Sequence, residues 1–159
     1  MHPSSVFNKL SPVILKCGTP SSLTLPGTVT GITTTATVAS VTIDASCLYN
    51  PCIKLEFTSN IIVPDLTNAT INFQVFRNCN NQFQSIPVGP QWTFITSDQT
   101  SDILTFFICD SKICSNKCCT YSVQLIATVS ADGGEGRAGA TTTVTIIAAT
   151  LSALIVDNA

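Results

Sequence analysis

Apolar and polar residues alternate along most of this chain, and a period of two places successive side chains on opposite faces of an extended strand. TATVASVTID alternates small or polar residues with apolar ones. YSVQLIATV puts Tyr121, Val123, Leu125, Ala127 and Val129 on one face, and ATTTVTIIA repeats the pattern with Val144 and Ile146. About one residue in seven is Thr, whose branched Cβ favours the extended backbone. No window carries an apolar stripe at i, i+3, i+4 and i+7. The chain reads as all-β.

Strands are expected near Leu23–Leu25, Ala36–Ala45, Ile53–Phe57, Ile71–Phe76, Trp92–Thr96, Leu104–Cys109, Tyr121–Val129, Ala140–Ala148 and Ser152–Val156. Turn signals separate them: LPGT, YNPC, VPDLTN, NCNNQ, PVGPQ, SDQTSD and ADGGEG. Short strands at this spacing predict a jelly-roll-like two-sheet β-sandwich. An immunoglobulin-like sandwich is the alternative, but Trp92 sits awkwardly between Cys79 and Cys109 for that pattern.

Residues 1–22 stand apart as an extended N-terminal arm, with prolines at 3, 12 and 20, and residues 23–159 form the sandwich domain. The apolar strip Val13, Ile14 and Leu15 leads to Cys17. It reads equally as a first strand closing its own sandwich or as a strand donated to a neighbouring copy.

A single domain of 159 residues can bury a core without covalent help. Five lysines, two arginines and nine acids leave a net charge of −2, with no basic patch for nucleic acid or an anionic membrane. So thin a charge repels other copies weakly, which permits self-association. The most apolar segment, Val144 to Val156, is too short for a membrane helix and is interrupted by Thr and Ser. The start lacks the features of a secretory signal, so either a signal has been removed or the protein is made in the cytoplasm, and Met1 favours the second. Eight thiols sit oddly in that reducing compartment, unless the cell lyses and exposes them to oxidant later.

Those thiols are Cys17, Cys47, Cys52, Cys79, Cys109, Cys114, Cys118 and Cys119. None of their spacings matches a zinc finger, and His2 is the lone imidazole, so no metal or other cofactor is expected. A nucleophilic thiol needs a base or cation to activate it, and none is placed for the task, so no catalytic residue and no enzyme activity is expected. Disulfides fit best. Cys118 and Cys119 open a strand and should point to opposite faces, which gives them different partners: one within the domain, such as Cys109 or Cys114, and one outward. Eight thiols allow 105 pairings, and the sequence selects none.

Other motifs read blandly. Asp98 and Asp102 are turn residues, NAT at Asn68 to Thr70 is a frequent chance triplet, and DGGEGRAG is a hairpin tip. Trp92, Phe94, Phe106 and Phe107 would suit a sugar-stacking platform, though in-strand aromatics more often fill a core.

The LKCG arm end, the Thr-rich β domain, the clustered and adjacent cysteines and the missing signal together resemble a small domain family of uncharacterised function from anaerobic spore-forming bacteria. The layout is also similar to that of the endospore appendage pilins. That resemblance implies jelly-roll subunits with a flexible N-terminal connector, stacking by strand augmentation and locking through intersubunit disulfides. It makes Cys17 the connector thiol but implies no partner for it, because the pilin connector carries adjacent cysteines and here the adjacent pair is Cys118–Cys119. The expected function is a structural subunit of a disulfide-cross-linked filament, extracellular or on a spore surface. Its partner is itself, in a head-to-tail helical homopolymer, with Val13, Ile14 and Leu15 docking the arm. A monomeric glycan-binding or adhesin module is the alternative.

Overall fold

A computed structural model of the chain describes residues 12–80, 82–112, 118–133 and 139–157. Every regular element among them is a strand: β1 (Val13–Cys17), β2 (Ser21–Thr28), β3 (Ile32–Asp44), β4 (Pro51–Val63), β5 (Thr67–Cys79), β6 (Ile86–Thr96), β7 (Thr100–Asp110), β8 (Cys118–Ala131) and β9 (Thr141–Asp157). The alternation that predicts strands also sets their faces. Along β4, Ile53, Leu55, Phe57, Ile61 and Val63 are buried while Lys54, Glu56 and Thr58 are exposed.

Hydrogen bonding runs along two groups of strands, β3–β8–β5–β6 and β2–β9–β4–β7, which is the jelly-roll order. The sequence predicts two separate sheets. The path is instead continuous, because a parallel bridge between Thr28 and Ser130 joins β2 to β8. The path is thus nearly closed and ends in β6 and β7, while β1 and β3 lie off it, each paired with a single strand. The inner faces of β6 and β7 meet through the stacked rings of Trp92 and Phe106, 3.9 Å between centroids. Phe57 lies against Phe106 and against Phe73 of β5, so aromatic contacts tie both groups into one core.

Two expected strands, Ala140–Ala148 and Ser152–Val156, are one seventeen-residue strand, β9. The break between them survives as a bend at Ala148, which takes φ 54°. On one side β9 pairs with β4 along almost its whole length; on the other its partner changes at the bend from β2 to β1. The arm boundary drawn at residue 22 therefore falls inside β2, and residues 13–17 lie on β9 of their own chain. Of the arm strip, Ile14 faces the core, while Val13 and Leu15 point to solvent.

The passage from β1 to β2 needs Gly18. Its amide donates to the Leu151 carbonyl at 2.9 Å, and a Cβ there would run into the carbonyl oxygens of Ser40 and Leu151. Gly18→Ala is expected to destabilise the fold by about 1–3 kcal/mol through this overpacking, read as a lower midpoint of denaturant unfolding. Phe57→Ala, which empties the centre of the core, should cost more, about 3–5 kcal/mol in the same measurement.

Candidate functional site: the thiol pole and the open strand edge

The strand order gathers six of the seven described cysteines at one end of the molecule. There β3, β5, β7 and β9 finish and β4, β6 and β8 begin, as the pairs Asp44–Cys118, Cys79–Cys119, Pro51–Asp157 and Ile53–Asp110 record. Cys52, Cys79, Cys109, Cys118 and Cys119 all fall within two residues of a strand end at this pole. Cys47 sits in the loop between β3 and β4, whereas Cys17 ends β1 on the side away from this pole, opposite Ser152. Among the described residues the turns at the other pole, Val29–Gly31, Pro64–Leu66 and Ser97–Gln99, hold no thiol. Cys114 lies outside the described residues.

One pair is joined. Cys79 and Cys119 stand directly opposite on β5 and β8 and form a buried disulfide across 40 residues of chain. The bond links neighbouring strands of one group, unlike the bridge between facing sheets that an immunoglobulin sandwich would show. The adjacent cysteines do diverge as the strand period requires: Cys119 is fully buried, and Cys118 is half-exposed with a free thiol. The inward partner is Cys79, a cysteine that sequence spacing did not single out.

Cys17, Cys47, Cys52, Cys109 and Cys118 remain free thiols. Cys17, Cys52 and Cys109 share the outer face of β1–β9–β4–β7. Across that face run the rows Val13–Val156–Cys52, Leu15–Leu154–Lys54–Cys109 and Cys17–Ser152–Glu56–Phe107. Cys17 and Cys109 occupy opposite edge strands, three strand spacings or about 14 Å apart. A disulfide needs Cα atoms within about 7 Å, so these two cannot bridge inside one chain. Cys52 and Cys109 are diagonal neighbours at about 7–8 Å, the limit of reach. No group of three metal-ligating side chains occurs among the described residues.

The two ends of the path are guarded unequally. β6 carries Pro87 and Pro90, which remove backbone donors, and Gly89 in the left-handed region at φ 71°. β7 has no proline and no basic residue over eleven positions, and it pairs only with β4. Its outward side chains include Ile103, 77% exposed, and Phe107, 64% exposed beneath the Lys54 ammonium.

A buried polar cluster fixes the pole end of β7. Arg77 Nη1 donates to Asp110 Oδ2 at 2.6 Å, the Tyr121 hydroxyl donates to the same oxygen at 2.9 Å, and the Lys112 amide donates to Oδ1 at 3.0 Å. β5, β7 and β8 are thereby held together. Burial pushes the Tyr121 hydroxyl far above its ordinary value, with Asp110 adding to the rise and Arg77 opposing it. Burial also works against the Arg77 charge, but Asp110 outweighs it and the net shift is upward. Nearby, the Asp157 carboxylate accepts the amides of Tyr49 and Asn50 and so positions the loop that bears Cys47.

The aromatic platform is not assembled. Phe106 is buried, Trp92 and Phe94 pack against the core, and Phe107 lies alone on the opposite outer face.

Because the folded state favours the neutral Tyr121 phenol, its contribution is fully present below the ordinary tyrosine value of 10.0 and is lost as pH rises above it. Tyr121→Phe should cost about 1–2 kcal/mol at neutral pH and flatten the fall of stability above pH 10, measured by denaturant melts across pH. Reduction of Cys79–Cys119, which closes a 40-residue loop, should cost about 4 kcal/mol in the same assay.

Solved structures of like fold include that of the infectious bursal disease virus Gx strain, with a TM-score of 0.54 and 13% identity over 94% of this chain and 33% of that one. The Gt strain structure is similar, with a TM-score of 0.51 and 11% identity over 91% of this chain and 33% of that one. This chain spans about a third of the length of either match, and at such identity the likeness concerns fold alone. No curated protein matches the chain. One family model does, over residues 11–156, and the chain therefore belongs to DUF4489, a domain of unknown function.

Proposed function

We propose that the protein is a non-catalytic structural subunit that joins copies of itself head to tail by strand addition and welds them with disulfides, in an oxidising setting outside the cell or on a spore surface. The observation that carries the reading is the placement of Cys17 and Cys109 on opposite edge strands of one face, out of each other's reach within a chain. Continuing the sheet from one copy to the next would set β1 beside β7 as an antiparallel pair, since β1, β9, β4 and β7 alternate in direction. Thiols that cannot meet inside a chain would then share a seam. β7 offers the unpaired amides and carbonyls that strand addition requires. Because the two edges differ, the contact does not close on itself and propagates as a fibre. A part of like fold occurs in the virus structure, which suits a subunit that packs against others.

The arm bears on the same reading. In a single chain β1 lies on β9 through five residue pairs, with Val13 and Leu15 left to solvent. In a continued sheet those side chains would be flanked by the outward side chains of β7 of the adjoining copy, Phe107 among them.

The test is electron microscopy of the purified, oxidised protein beside a non-reducing gel. Fibres and a ladder of reductant-sensitive multimers are expected; a monodisperse monomer with a single band would refute the proposal. Cys17→Ser should leave fibres that form but dissolve in denaturant without reductant. Phe107→Lys, which charges the open edge, should reduce fibre yield by at least about tenfold while the melting midpoint stays unchanged.

A further inference from the structure

The outer face of β3–β8–β5–β6 is almost free of charge. Its four strands contain only Asp44 and Arg77 as charged residues, both at the thiol pole. Over the remaining length the exposed side chains are hydroxyls, carboxamides and a few apolar groups.

A groove of about 280 Å³ opens in this face. It exists because β6 departs from its partner: Val75 pairs with Val88 and Phe73 with Trp92, so one residue of β5, Gln74, stands opposite Gly89, Pro90 and Gln91. The left-handed Gly89 permits the excursion, and Gln74 Nε2 clips it in place by donating to the Val88 carbonyl at 3.1 Å. Phe76, Pro87 and Ile126 give the groove an apolar floor and wall. Four carboxamides surround them. Asn72 is engaged by Thr93 and Gln74 by β6, but Gln91 and Gln124 have no hydrogen-bond partner among the described residues.

We infer that this groove binds a neutral oligosaccharide. A pyranose presents an apolar C–H face and a rim of hydroxyls that both donate and accept. Phe76, Pro87 and Ile126 match the face, and a carboxamide, carrying two donors and an acceptor, matches a pair of hydroxyls. An anionic or cationic ligand would find no counter-charge here. Small binding sites characteristically pair an apolar lining with a few convergent polar groups of this kind. The site lies on the face opposite the free thiols of β1, β4 and β7, so sugar binding does not depend on whether copies assemble.

Calorimetric titration of the full chain with three neutral hexasaccharides, built of β-1,4-glucose, α-1,4-glucose and N-acetylglucosamine, tests the inference, with hexagalacturonate as the anionic control. At least one neutral sugar should bind and the control should not. Gln91→Ala and Gln124→Ala, both surface changes, should each weaken binding about five- to tenfold at an unchanged melting midpoint. Failure of all three sugars to bind at about 1 mM would overturn the proposal. Binding undiminished in the double variant would also overturn it, by removing the sugar from this groove. So would altered sedimentation of the variants without sugar binding, since the face would then pack against a second copy.

Discussion

Strand β9 must satisfy the amides and carbonyls of seventeen residues, and it draws three other strands around itself to do so. β4 takes one side almost throughout, while β2 and then β1 share the other on either side of the bend at Ala148. Without β9, β1 would have no strand to pair with and β2 only the single Thr28–Ser130 bridge. The inward residues of β9, among them Val144, Ile146, Leu151 and Ile155, are all buried, so the backbone ladder and the core depend on the same strand.

From that arrangement the pole follows. From β2 onward short connections turn the chain at alternate ends, and the described cysteines other than Cys17 fall at the same end because each lies near a strand terminus or in a loop there. The Arg77–Asp110–Tyr121 cluster then fixes the pole where the sheet is open. Three strands converge on one carboxylate there, and the low dielectric of the site makes each bond to it stronger than it would be in water.

Much of this was legible in the sequence because a period of two is a local property. Tyr121, Val123, Leu125, Ala127 and Val129 are all buried, as alternation requires, and the divergence of Cys118 and Cys119 follows from the same rule. What was hidden is non-local. The Cys79–Cys119 pairing depends on the register of β5 against β8, and the cluster joins residues from three strands; neither leaves a mark in any one segment. The bend at Ala148 was partly visible as a gap between two strands, yet local pattern could not tell that the ladder to β4 continues beyond it. The arm was ambiguous for a related reason: its apolar strip fits any strand with a free side, and β9 of its own chain is one.

The scarcity of charge on the β3–β8–β5–β6 face bears on the surroundings the molecule can tolerate. Ion pairs weaken as electrolyte rises, whereas hydroxyl and carboxamide contacts give dissolved ions little to screen. Anything held on that face should stay held from fresh water to brine.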